Sequence, residues 1–144
     1  MIEFFNINKL LKIDNKFPLV EVQEFLEKEF NNKENINIIF TTLKKIRKLN
    51  TQFRNKNEVT DVLSFNIDSD NTLGEIYICP KYVIKTIHGI DLQEQIVRLI
   101  IHGILHLKGY DHKKKFGKVD YTDEPMYIKQ ENILNKFLTR KIQK

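Results

Sequence analysis

Apolar residues recur along this chain with two periods, and each change of period marks an element. Residues 1–7 alternate loosely and predict a first strand. Across 18–30 the apolar positions Val22, Phe25, Leu26 and Phe30 fall at helical spacing, and Pro18 suits a first helical turn. A polar break over 31–35 leads to a second strand at 36–41. Leu43, Ile46 and Leu49 then predict a short helix with Thr42 as its cap, followed by a polar loop at 52–58 that carries Arg54. Residues 59–67 are rich in β-branched and aromatic side chains and predict a third strand. The turn cluster Asp68-Ser69-Asp70-Asn71 separates it from a fourth strand at 74–79, so these two strands are expected to pair closely.

The second half is helical. A short helix is predicted over 80–90. Asp91 and Glu94 then have the spacing of a capping box ahead of a helix over 92–107. That helix carries Leu92, Ile96, Val97, Leu99, Ile100, Ile101, Ile104, Leu105 and Leu107 nearly all round its circumference. A helix apolar on every side belongs in the interior, so it is expected to be central. Gly109 ends it, a basic loop with Lys113, Lys114, Lys115 and Lys118 follows, and 124–141 closes the chain as an amphipathic helix. The expected architecture is one α+β domain over 1–144, with four strands and about five helices.

Composition changes this picture little. The longest apolar runs are a few residues, too short for a membrane-spanning helix. The opening residues lack the basic start and apolar stretch of a signal peptide, and a single cysteine, Cys79, excludes an internal disulfide framework. The expected compartment is the reducing cytoplasm. The net charge of +5 favours anionic partners such as nucleic acid. Most cations are lysine; only Arg47, Arg54, Arg98 and Arg140 offer the guanidinium fork suited to phosphate.

Three of the four histidines form His102-x3-His106-x5-His112. Residues four apart on a helix share a face, so His102 and His106 project in parallel. Gly109 permits a reversal that can bring His112 over the same face. Three imidazoles with a fourth position left open are the ligand set of a catalytic zinc site, although imidazole sites also accept nickel, copper or iron. The spacing, Gly109 included, matches the metzincin pattern His-Glu-x-x-His-x-x-Gly-x-x-His. Gly103 stands where those peptidases keep their glutamate base, which argues against peptidase activity. His88 lies outside the metal spacing and reads as a surface histidine, and Cys79 reads as a small buried residue beside Pro80.

The segment His102-Gly103-Ile104-Leu105-His106-Leu107-Lys108-Gly109-Tyr110-Asp111-His112 closely resembles the signature of the YbeY family, bacterial rRNA maturation factors regarded as metal-dependent single-strand endoribonucleases. Leu49-Asn50, Phe53-Arg54 and Thr60-Asp61-Val62-Leu63-Ser64-Phe65 resemble a second block of that family. Gly74-Glu75-Ile76-Tyr77-Ile78-Cys79-Pro80 resembles a third, and Met126 with Glu131-Asn132-Ile133-Leu134 is similar to its tail. The resemblance implies a zincin-like α+β fold with a small mixed sheet, Zn2+ on His102, His106 and His112, and a functional arginine at Arg54. On that reading His102 and Arg54 belong to the catalytic centre. It also implies processing of the 3′ end of small-subunit 16S rRNA and ribosome quality control. The implied partners are rRNA and the small ribosomal subunit, with ribosomal proteins or an assembly GTPase beside them, and neither membrane nor DNA. Asn66 departs from the family, which often has proline there. Glu75 replaces a common aspartate, and the loop from Lys113 to Lys118 is unusually basic.

The residues leave the general base open. Water activated by the metal, attack by the substrate 2′-OH, and help from Asp111 are all compatible with the pattern, and Asp111 also suits a hydrogen bond to a ligand histidine or a plain turn. Asp61 and Ser64 read as structural groups at a strand end. Tyr110 and Phe116 flank the histidines and suit either base stacking or packing. Two rival functions stay in view: an assembly factor that the metal only stabilises, and a hydrolase of another substrate.

Overall fold

A computed structural model describes residues 1–6, 17–31, 33–110 and 124–142. The described strands are β1 (Ile2–Phe5), β2 (Asn35–Phe40), β3 (Val62–Asn66) and β4 (Thr72–Ile78). The described helices are α1 (Leu19–Phe30), α2 (Leu43–Arg54), α3 (Pro80–Thr86), α4 (Leu92–Leu107) and α5 (Pro125–Ile142). The strands form one mixed sheet in the order β1-β2-β4-β3. β1 and β4 run parallel to β2, and β3 returns antiparallel to β4, with Ser64 opposite Ile76. The expected α+β class, mixed four-stranded sheet and β3–β4 pairing are all present.

Register decides which side chains face which layer. Ile36, Ile38 and Phe40 of β2 lie beside Gly74, Ile76 and Ile78 of β4 on one face, against α1, α4 and α5. The opposite face carries Leu63, which meets Ile46 and Leu49 of α2 and Cys79 in a smaller cluster. Cys79 is fully buried, and burial pushes its thiol above the usual range, as expected of a packing residue.

α4 lies inside the protein as its pattern predicts. Nine of its 16 residues are buried, far more than one amphipathic stripe would bury. Its start is the Asp91 cap, whose carboxylate accepts from the Glu94 amide at 3.0 Å. The reciprocal half of a capping box is absent, because the Glu94 carboxylate faces Arg98 instead. Gly103 is where the helix approaches the sheet. A Cβ there would stand 2.9 Å from two carbons of Ile76, a fully buried side chain with no room to yield.

Several boundaries differ from expectation. The segment expected as a loop from residue 52 continues α2 through Arg54. Asn55 ends the helix in the left-handed conformation, with its N–H turned back to the carbonyls of Asn50 and Thr51. The polarity of Gln52 marks an exposed helical face, not a loop. β3 begins at Val62, not 59, and α3 stops at Thr86, ahead of Gly89 with its φ of 70°. Residue 7 and the basic loop of Lys113 to Lys118 lie outside the described residues. Among the described residues, no helix is long and apolar enough to cross a membrane.

The contact at Gly103 gives a first prediction. Gly103→Val should lower stability by about 2 kcal/mol or more, because overpacking outweighs the backbone entropy that glycine gives up. Urea unfolding measures this, and a midpoint equal to that of the parent would refute the close approach of α4 to β4.

Candidate active site

α4 presents His102 and His106 one turn apart on its half-buried flank. Their Nε2 atoms are 3.1 Å apart, and the rings meet nearly edge to face. Each Nδ1 has an oxygen partner. His102 Nδ1 is 2.7 Å from Oε1 of the buried Gln130, and His106 Nδ1 is 3.1 Å from the Tyr110 carbonyl. The second partner exists because of how the helix ends. Gly109 takes a φ of 100°; its N–H reaches the His106 carbonyl, and the Tyr110 N–H reaches Leu105. This glycine-terminated Schellman turn folds the chain back, so the Tyr110 carbonyl meets the His106 ring.

The partners determine the tautomers. Both oxygens are acceptors, so each ring carries its proton on Nδ1 and directs an Nε2 lone pair at the other ring. Two lone pairs at 3.1 Å repel unless a proton or a cation lies between them. Two nitrogens on one tetrahedral zinc ion lie about 3.3 Å apart, given bonds of about 2.0–2.1 Å. The pair therefore fits the metal that the sequence pattern implies. His112 lies outside the described residues, and among those described no group of three or more His, Cys, Asp or Glu side chains converges.

The histidines open into a cleft of about 540 Å3. Arg54 lines it from the end of α2, and Lys56, Ser64, Asn66 and Tyr110 line it as well. Arg54 thus sits in the same cleft as the histidines although it is far from them in sequence. The α2 cap explains its place: Asn55 turns the chain away and leaves the exposed guanidinium at the cleft mouth. Asp61 is the sole carboxylate among the described lining residues, and Ser64 joins it there, so both belong to the cleft wall as well as to the strand end. His88 is exposed on the connection after α3 and takes no part.

Three contributors had no role assigned to them from the sequence. Asn66 donates its side-chain amide to the Leu107 carbonyl at 3.0 Å and so caps the C-terminus of the histidine helix. Proline at that position could not make this bond. Gln130 is the second. It falls in the apolar stripe of α5 with Met126, Ile133 and Phe137, and a polar residue in a buried stripe is a signal that could have revealed it. The third is Arg98, which holds Glu131 through two bonds of 3.0 and 3.2 Å. Partial burial opposes the Arg98 charge, but Glu131 and then Glu94 outweigh it and hold the guanidinium above its ordinary value.

The fold is thus α+β, with two imidazoles and an arginine set around one cleft. Residues 5–138 match the family model described as Endoribonuclease YbeY. A curated endoribonuclease YbeY of Phytoplasma australiense is 39% identical over 136 residues, covering 87% of this chain and 88% of the relative. The Pelagibacter ubique endoribonuclease YbeY is 35% identical over 139 residues, covering 89% and 87%. A solution structure of a Thermotoga maritima protein superposes with a TM-score of 0.66 at 29% identity, covering 99% of this chain and 93% of that one. The chain belongs to the YbeY endoribonuclease family, as its motifs led us to expect, and is by that membership a nuclease.

The Asn66 bond supplies a second prediction. Asn66→Ala should cost about 1 kcal/mol, the usual value of one such hydrogen bond. Amide exchange at the end of α4 should quicken with it, and protection as in the parent at His106 and Leu107 would contradict the cap.

Proposed function

We propose that this chain is a zinc-dependent endoribonuclease that cleaves single-stranded rRNA in the cytoplasm, at the 3′ end of the small-subunit 16S rRNA, and serves ribosome quality control. The observation that carries the proposal is the meeting of Arg54, His102 and His106 around one cleft in a YbeY-family chain. His102, His106 and, by the motif, His112 would hold the zinc. When bound, that ion supplies positive charge for phosphoryl oxygens and brings the pKa of water toward about 7.

The chain's own residues account for the rest. Arg54 has no hydrogen-bond or ion-pair partner among the described residues, so its five donors are available to a phosphate and to the charge that builds up in the transition state. Lys56 adds a second cation at the same wall. On α2, Lys44, Arg47 and Arg54 are exposed and recur at i, i+3 and i+10, which places them along one face leading into the cleft. Such a row can follow a sugar–phosphate backbone without reading its sequence. The implied partners are rRNA and the small subunit.

Gly103 bears on the base. A glutamate there would collide with Ile76, so the peptidase arrangement is sterically closed to this backbone as well as absent from its sequence. An anionic phosphodiester also suits a site whose described lining carries two cations against one carboxylate.

Purified protein acting on a 16S precursor with an extended 3′ end tests the reading. Arg54→Ala should lower kcat/KM by about 10²- to 10³-fold, the scale of one lost transition-state donor, while zinc content stays at the parental level. His106→Ala should lose both zinc and cleavage. It should also lose the rise in melting temperature that added zinc gives the parent. Equal nicking by all three proteins would assign the cleavage to a contaminant and favour a non-catalytic assembly role.

A further inference from the structure

We infer that the Arg98–Glu131 ion pair dictates which way the Gln130 amide points, and that Gln130 thereby holds His102 as the tautomer whose Nε2 faces the cation position. Gln130 and Glu131 are positioning residues on this account, which rests on His102 being a metal ligand.

The argument starts at Arg98 on α4. Its guanidinium is held at every nitrogen. Nη1 donates to Gln95 Oε1 at 2.7 Å, Nη2 to Glu94 Oε2 at 3.3 Å, and Nε and Nη2 to the two oxygens of Glu131 at 3.0 and 3.2 Å. Glu131 is thus fixed on α5 by a two-bond fork, with only 22% of its side chain exposed. Its Oε2 also takes a bond of 3.0 Å from Gln130 Nε2. A carboxylate only accepts, so the NH2 end of the amide must face it. That leaves the amide oxygen at the far end, 2.7 Å from His102 Nδ1. A reversed amide would oppose oxygen to Oε2 and NH2 to the Nδ1 proton at once. The ion pair therefore decides an orientation that an isolated glutamine leaves ambiguous.

The choice of an amide has an electrostatic consequence. The outer nitrogen of a metal-bound histidine commonly donates to a carboxylate, which brings negative charge against the ligand. Gln130 gives the same orientation without a charge. The carboxylate is one residue further out and is neutralised there by Arg98. The cation position keeps its positive charge for an anionic substrate, and the histidine keeps its geometry.

Two measurements separate this from a plain structural link between α4 and α5. The first is zinc affinity by competition with a chromophoric chelator. The second is the His102 tautomer in the chelator-treated protein, read from ring nitrogen–proton correlations. The parent should show the proton on Nδ1. Gln130→Leu should lose that preference and bind zinc about 10- to 100-fold more weakly, the scale seen when an outer partner of a ligand histidine is removed. Glu131→Gln, which leaves the His102 contact in place, should still weaken zinc binding, because the amide is free to reverse. That variant serves if Gln130→Leu fails to fold. Zinc affinity within twofold of the parent in Glu131→Gln, or a parental proton on Nε2, overturns the inference. A parent that takes up no zinc but keeps its Nδ1 proton, and loses it in Gln130→Leu, would remove the metal and leave the amide's role standing.

Discussion

The contact of α4 with β4 at Gly103 and Ile76 governs the geometry of the centre. A helix that is apolar nearly all round could in principle rotate about its axis and bury a different set of residues. The missing side chain at 103 removes that freedom, because one direction alone allows the helix to come this close to the sheet. Gly103 directly follows His102, so the contact that settles the rotation also settles where both imidazoles point. Asn66 stops the last turn from unwinding at Leu107, and the Gly109 turn then returns the Tyr110 carbonyl to His106. Packing, capping and hydrogen bonding thus converge on two nitrogens 3.1 Å apart.

Holding two imidazoles that close is unfavourable for neutral rings in this arrangement. Each outer nitrogen is committed to an acceptor, so neither ring can donate to the other. A backbone carbonyl on one side, and on the other an amide that is itself held by an ion pair, keep the two lone pairs opposed. Sites that persist against local preference in this way are the ones where a bound group repays the cost, and a divalent cation is the group this donor set suits.

Much of this was legible in the sequence, and what was not has a physical cause. The limits of α4, its Asp91 cap and the Thr42 cap of α2 were readable because they depend on residues within one turn of each other. The pairing of His102 with His106 followed from helical spacing alone. Arg54 was expected in a polar loop and instead ends α2 where it lines the cleft, since the exposed polar turn of Gln52 has the composition of a loop and only a left-handed Asn55 distinguishes the two. Asn66 stood out as a departure from proline, but its capping bond was not foreseen because its partner is 41 residues away, and no local pattern encodes such a bond. Gln130 was passed over for a different reason. Its position lies on the apolar stripe of α5, but a sequence reading that collects apolar residues into a stripe discards the polar exception, and here the exception touches the site.

Gly103 also constrains the chemistry. In a glutamate-bearing zinc peptidase the base stands beside the first histidine and withdraws the proton from water on the helix side. Here that side is filled by Ile76, so on the proposed reading a proton acceptor must reach the substrate from the other wall of the cleft or from the substrate itself. Among the described lining residues that wall offers Asp61 as its sole carboxylate, together with Arg54 and Lys56. A wall in which cations outnumber acids suits a substrate that arrives charged and whose reacting oxygens gain further negative charge. An amide arrives neutral and gains less from such a wall, whereas a phosphodiester gains from it both on binding and at the transition state. On the proposed reading, the packing that excludes the peptidase glutamate and the surplus of cations on the described wall therefore both tell against an amide substrate, by independent routes.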